Sequence, residues 1–172
     1  MKYLTKARYT AAQNGDTAFE KALFAYAACA QTHPAACRQI AESLCLHDAR
    51  ITYIKTADGD TVLHFDNADA QTAVESVVCK GATEEKNEHV TVGDFWLYEE
   101  VYPLEDGFRI CALLETAEGA LKEWQIRAKD VIVSENRDKV MRQEKMKELL
   151  AAYKKAPSDA FLQRMKALGR EK

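Results

Sequence analysis

The stretch FWLYEEVY at residues 95–102 decides the fold, because it predicts the central strand of a sheet. Aromatic and branched side chains favour a pleated, half-buried surface, and successive side chains of a strand alternate between two faces. One face therefore holds Trp96, Tyr98, Glu100 and Tyr102, and the other holds Phe95, Leu97, Glu99 and Val101. We expect the second face to be the core face, where Glu99 would need a partner, since an unpaired buried carboxylate is costly.

Turn residues divide the sequence around this strand into further short strands. Asp58-Gly59 favours a tight hairpin turn, and glycine-containing turns recur at 105–107 and 118–119. The predicted strands are 50–56, 61–66, 73–80, 95–104, 108–116 and 121–128. Short turns between consecutive strands predict an antiparallel β-meander of about six strands, with a short edge at 130–133. A glutamate-rich loop is expected at 81–88.

Helical patterns lie on both sides of the predicted sheet. An amphipathic lead over residues 1–13 ends at Asn14-Gly15, and Thr17 and Glu20 have the spacing of a capping box for the next helix. That helix should end before Pro34, which suits the first turn of a second helix. From Ser134 the pattern is helical again, with a break at Pro157 and a last short helix beyond it.

These elements together predict an α+β fold. A single domain over residues 1–133 would hold the N-terminal helices within 1–46 and the sheet within 49–133. Residues 134–172 would form a C-terminal extension of amphipathic helices that packs on the domain or on a partner.

Cysteine usage and apolar runs indicate a cytoplasmic protein. The five cysteines are an odd number without tight spacing, which favours a reduced environment. The first residues contain lysines but no apolar run of the kind found in secretory signals. The longest apolar run, Ala22 to Ala30, is too short to span a bilayer, so we expect no membrane partner.

The charge distribution is asymmetric along the chain. Residues 134–172 hold 11 Lys and Arg against 6 Asp and Glu, whereas residues 1–133 hold 13 against 21. A basic tail on an acidic body could bind nucleic acid, or it could pack near the body. The modest excess of positive charge in the tail argues against nucleic acid.

Two groups of polar residues could bind a small ligand. His47-Asp48 could act as an acid–base pair, or it could serve as a polar junction between helix and strand. One of Glu99 and Glu100 could be desolvated and act as an acid or base, or it could bind a neighbouring strand, with Arg109 or Arg127 as its partner. No nucleophile accompanies the histidine and no phosphate loop is present, so no catalytic residue is assigned.

The spacing of Cys29, His33 and Cys37 would align soft metal ligands on a continuous helix. Pro34 interrupts that helix, paired short spacings are missing, and cysteine is also a common core residue. We therefore predict no metal site and no other cofactor.

Several of these segments resemble a family of uncharacterised bacterial proteins. The segments are MKYLTKARY at the start, LHDARIT, VLHFDNA, FWLYEEVY, DGFRICALLE and LKEWQIRAKDVIV, in this order. They carry a MKYxTK start, a histidine-aspartate pair before the first strand and a WLYEE motif. The resemblance implies membership in a domain family of unknown function, which assigns no catalytic or binding residue.

The expected function is that of a non-catalytic binding module. An aromatic-rich strand and an amphipathic tail are typical of protein interaction surfaces. The binding surface would include Trp96, Tyr98 and Tyr102, and the partner would be another protein or a second copy bound through the C-terminal helices. The alternative is an enzyme or small-ligand binder that uses His47, Asp48 and one of Glu99 or Glu100, which requires these groups to meet in one pocket.

Overall fold

The computed structural model describes residues 1–68, 70, 72–85 and 88–155. The helices are α1 (Lys6–Gln13), α2 (Ala18–Ala30), α3 (Ala35–Ser43) and α4 (Arg137–Lys155). The strands are β1 (Ala49–Ala57), β2 (Asp60–Asp66), β3 (Val74–Lys80), β4 (Thr83–Glu84), β5 (Phe95–Leu104), β6 (Gly107–Glu115), β7 (Leu121–Ala128) and β8 (Asp130–Glu135). The α+β class with an antiparallel sheet is confirmed. The short helix expected after Pro157 lies outside the described residues.

Local chemistry explains where the N-terminal helices begin and end. Gly15, with a φ of +89°, follows the end of α1, and Pro34 directly precedes α3. The predicted capping box at the start of α2 is wrong, because Thr17 makes no side-chain capping bond. Instead the Ala18 N–H donates to Asp16 Oδ1 at 2.7 Å. An aspartate oxygen satisfies a free N–H of the first turn as well as a threonine hydroxyl does.

The sheet is more elaborate than the predicted meander of about six strands, since the described residues form eight strands in the order β4-β7-β6-β5-β1-β2-β3-β8. β1-β2-β3 and β5-β6-β7 are two separate antiparallel meanders, joined where Ala49 and Arg50 pair with Trp96 and Phe95. Of the additional strands, β4 lies in the expected loop at 81–88, and β8 extends the short edge expected at 130–133 to Glu135.

The sheet curls round on itself, because β7 leads into β8 through Lys129 alone although the two strands lie near opposite ends of the strand order. The Lys129 N–H donates to the Lys80 carbonyl at 2.8 Å, which joins this crossing to the end of β3. Gly107 lies at the same corner with a φ of +110°, and a Cβ there would overlap the Ala128 carbonyl. Only glycine fits both the conformation and the space.

Two apolar clusters lie on the two sides of β5. The inner cluster gathers residues of both meanders with α3 and the loop after it, and Trp96 packs edge-on against Phe65 and Trp124 within it. The outer cluster joins Leu97 and Leu113 to the N-terminal segment, through Leu4, Phe19 and Ala22. The N-terminal segment with α1 and α2 therefore covers the outer face of β5 and β6, whereas α3 packs in the inner cluster.

The chain divides into two compact units, Met1–Glu135 and Asn136–Lys172. In the second unit, the Lys139 N–H donates to Asn136 Oδ1 at 2.9 Å, which caps the start of α4. Within the described ranges, no helix is both long enough and apolar enough to cross a bilayer.

Candidate functional site

A bulge in β5 changes which side chains share a face. The pairing moves from Trp96↔Leu114 to Tyr98↔Leu113, so Leu97 is an extra residue. Trp96 consequently packs in the inner cluster, while Leu97 and Tyr98 pack in the outer one. The predicted grouping of Trp96 with Tyr98 is therefore wrong, because a bulge shifts the alternation by one residue.

Glu99 lies on the inner side of β5 and bonds to the tryptophan that the bulge turns inward. The Trp96 indole N–H donates to Glu99 Oε2 at 2.8 Å. Burial raises the pKa of Glu99 to about 7, and the bond from Trp96 opposes this shift only in part. The expected arginine partners are wrong, since Arg109 and Arg127 both donate to Glu85, at 3.1 Å and 2.5 Å.

Glu100 lies on the opposite side of β5 and is fully buried, with 0% of its surface exposed. Its Oε1 accepts the backbone N–H groups of Tyr3 and Leu4, at 2.8 Å and 2.5 Å. Its Oε2 accepts the Lys2 N–H at 2.8 Å and the Tyr102 hydroxyl at 2.5 Å. With four donors on two oxygens, this carboxylate fastens the N-terminal segment to the sheet and has no free position for a ligand.

The edge of β5 beyond the β1 pairing is closed by side chains from α2 and α3. The Val101 N–H donates to the Tyr26 hydroxyl oxygen at 2.6 Å, and the Cys37 thiol donates to the Val101 carbonyl at 3.7 Å. These side chains supply the hydrogen-bond partners that a neighbouring strand would otherwise give to the Val101 backbone. Residues 100–102 therefore hold the N-terminal segment, α2 and α3 against one short piece of β5.

His47 and Asp48 lie in the turn before β1 and contact each other. Nδ1 of His47 is 2.9 Å from Asp48 Oδ2, with 48% and 63% of the two side chains exposed. The His47 ring meets Tyr98 edge-on at 4.9 Å, and the Asp48 N–H donates to the Trp96 carbonyl at 2.8 Å. Across the described part of the chain, no hydrogen bond or ion pair links this pair to Glu99 or Glu100.

The expected aromatic surface is largely covered. Trp96 is only 1% exposed, and the half-buried Tyr98 packs edge-on against Phe19 at 4.9 Å. Tyr102 is half-buried between Tyr26 and His33, at 6.2 Å and 5.8 Å between ring centroids. The prediction that Trp96 belongs to an exposed binding face is wrong, because the bulge turns it into the core.

Cys29, His33 and Cys37 come together although Pro34 separates their helices. His33 Nε2 is 3.7 Å from the Cys29 sulfur, and Nδ1 is 3.7 Å from the Cys37 sulfur. The two ring nitrogens point in different directions, so the three residues cannot chelate one ion through both contacts. No group of three potential ligands with metal-binding geometry occurs in the described ranges.

A groove of about 370 Å³ between α3 and β8 is absent from the sequence predictions. Its lining residues are Ala36, Gln39, Ile40 and Ser43 of α3, Phe108 of β6, and residues 130–133 of β8. The α3 residues have the i, i+3, i+4, i+7 spacing of one helix face, which the sequence does contain. The position of β8 beside that face depends on the curled sheet and could not be read from the spacing.

A family model described as "Protein of unknown function (DUF4085)" matches residues 3–128. The chain belongs to this family. This finding confirms the family resemblance. Comparisons with curated proteins and with solved structures give no match. The DUF4085 segment contains Glu100, Tyr102 and the Cys29–His33–Cys37 row, whereas β8 follows it.

Proposed function

We propose that this protein is a non-catalytic interaction module that binds an extended segment of a partner protein in the groove between α3 and β8. The observation that carries the proposal is the position of β8 at one end of the strand order. Within the described residues, no strand pairs with its second edge. A strand edge presents a row of backbone donors and acceptors that an added strand can satisfy.

The shape of the groove supports an extended peptide rather than a compact ligand. A strand paired with the six residues of β8 would be about 20 Å long. A face of α3 lies along the same groove and would contact one side of the added strand. Such a site takes its affinity from main-chain bonds and its specificity from alternate side chains.

The groove lining supports a preference for apolar side chains. Ile40, Phe108, Val131 and Val133 are only partly buried against the inner cluster, so apolar surface stays available in the groove. Ala36 and Gln39 lie on the exposed side of α3. We expect a bound segment to direct every second side chain, preferably valine, isoleucine or leucine, into the groove.

The other expected surfaces receive less support. The four bonds to Glu100 and the cover over Trp96 leave neither available to a ligand, and no described contact brings His47 or Asp48 to a glutamate. The enzyme or small-ligand alternative requires these groups to meet in one pocket, and the contacts among the described residues give it no support. Self-association through the C-terminal helices stays a prediction.

The proposal can be tested by panning a phage library of random dodecapeptides against the full chain. An enriched peptide, labelled with fluorescein, would then be titrated by fluorescence anisotropy. Ala36→Trp fills the groove and should raise Kd at least about tenfold, equivalent to about 1.4 kcal/mol. Ala35→Trp is the matched control, because Ala35 is also exposed on α3 but does not line the groove.

The peptide provides a second control on the binding mode. Methylation of alternate backbone nitrogens removes donors from one edge of a strand, so one of the two methylation patterns should weaken binding strongly and the other weakly. Failure to enrich any peptide would contradict the proposal, and so would equal effects of the two tryptophan variants.

A further inference from the structure

We propose that Cys29 is a reactive thiol, activated by His33, that hydroperoxides oxidise to a sulfenic acid. The inference rests on the row Cys29–His33–Cys37 and is independent of the groove between α3 and β8. An activated nucleophile generally has a base within hydrogen-bonding reach, and a third group orients that base.

The hydrogen-bond directions in the row follow from its inner end. The Cys37 thiol donates its proton to the Val101 carbonyl at 3.7 Å, so its sulfur can only accept from His33. His33 therefore carries its proton on Nδ1, which is 3.7 Å from that sulfur. Nε2 is left with a free lone pair, directed at the Cys29 sulfur at 3.7 Å.

The base is held in this orientation by buried groups. Cys37 is fully buried, and burial raises the pKa of its thiol, which keeps the proton needed for the bond to Val101. The His33 ring also packs against Tyr102 at 5.8 Å between centroids. Fixing Nδ1–H in a hydrogen bond fixes the tautomer, and so makes Nε2 the acceptor.

The other cysteines lack this combination of access and base. Cys79 and Cys111 are buried, and burial raises both pKa values to about 12. Cys45 is exposed, but partial burial of its thiol and the nearby Glu99 raise its pKa. Among the described residues, no histidine bonds to Cys45. Cys29 is half-exposed and has one.

The reaction with a hydroperoxide balances without a further reactant. The Cys29 sulfur attacks one peroxide oxygen, so an S–O bond forms as the O–O bond breaks. The thiol proton passes to His33 Nε2 and then to the departing oxygen, which leaves as water or an alcohol. Sulfur loses two electrons and the peroxide gains them, which is the first step of cysteine oxidation.

The test compares two cysteines within one protein. The reduced full chain is treated with limiting hydrogen peroxide and dimedone, and the labelled positions are located by peptide mass spectrometry. We expect Cys29 to be labelled about tenfold faster than the more exposed Cys45, a modest value for base assistance. Faster labelling of Cys45 would overturn the proposal.

Variants of His33 distinguish activation of the Cys29 thiol by the histidine from simple solvent exposure of that thiol. His33→Gln should slow Cys29 labelling about tenfold and leave the Cys45 rate unchanged. An unchanged Cys29 rate in His33→Gln would overturn the role of the base. The Cys45 rate and the protection of Cys79 and Cys111 report whether the variant is folded.

Cys37 is a positioning residue in this scheme, and two substitutions test it. Cys37→Ser keeps a donor for Val101 and an acceptor for His33, so it should retain fast labelling of Cys29. Cys37→Ala removes both and should slow it. The pH profile of Cys29 labelling should change in Cys37→Ala and stay as in the wild type in Cys37→Ser. Identical rates and profiles in the two variants would refute the orienting role.

Discussion

Replacing Glu100 by glutamine tests whether this carboxylate fastens the N-terminal segment. Glutamine has nearly the same shape but only one acceptor oxygen, so two of the four donors around Glu100 would face an amide N–H₂ group. Each hydrogen bond to a charged group contributes about 1.5–3 kcal/mol. Losing two of them costs about 3–6 kcal/mol, and removing a buried charge offsets part of this cost. We expect a net loss of about 2–4 kcal/mol in the free energy of unfolding.

Urea unfolding provides the measurement, because the buried Trp96 and Trp124 should report loss of the core by fluorescence. The matched control is Glu99→Gln, the same substitution one residue earlier. With a pKa of about 7, Glu99 is already half-protonated at neutral pH, so this change should cost less than about 1 kcal/mol. Equal effects of the two substitutions, or a Glu100→Gln loss below about 1 kcal/mol, would refute the reasoning.

Two further predictions concern Glu99 and Gly107. Because burial raises the pKa of Glu99 from 4.5 to about 7, the folded state binds the proton more tightly than the unfolded chain. Its stabilising contribution is complete below pH 4.5 and is lost as pH rises from 4.5 through about 7, by about 3 kcal/mol in total. Denaturation at several pH values should show this slope in the wild type and a smaller slope in Glu99→Gln. Gly107→Ala should lower stability by more than about 2 kcal/mol, because of its φ of +110° and the overlap with the Ala128 carbonyl.

A specific result would contradict each of these two predictions. Equal pH slopes in the wild type and Glu99→Gln would mean that another group causes the dependence. For Gly107, the comparison is Gly119→Ala, which has a φ of +82° but only an ordinary contact, 3.6 Å from a Glu115 oxygen. If the free energy of unfolding falls by the same amount in both glycine variants, the close approach to Ala128 does not contribute to the loss.

Local sequence chemistry predicted the parts of the fold that depend on neighbouring residues. Asp58-Gly59 produced the expected hairpin, Pro34 separated two helices, and residues 95–104 formed a strand with its two glutamates on opposite faces. In each case the preference lies within a few residues of the chain and agrees with the global fold.

Features that depend on distant residues could not be predicted in this way. Nothing within FWLYEEVY marks Leu97 as a bulge, because the extra residue is defined by its register with β6. The β1–β5 pairing and the return of β8 to β3 depend on how the whole sheet curls. The same holds for the cover over Tyr98 and for the bonds that Glu100 accepts from residues 2–4. The spacing of Cys29, His33 and Cys37 suggested a common site, but not that His33 would join two helices.

The crossing at Lys129 also has a consequence for the order of folding. β3 pairs with β8 between residues 74–80 and 130–135, so this pairing encloses the entire β5-β6-β7 meander within one loop of the chain. Closing so long a loop costs more entropy than closing the local hairpins does. We therefore expect the β3–β8 pairing to form late. Until then the edge of β3, with Val77 and Val78, is open to pairing with other chains.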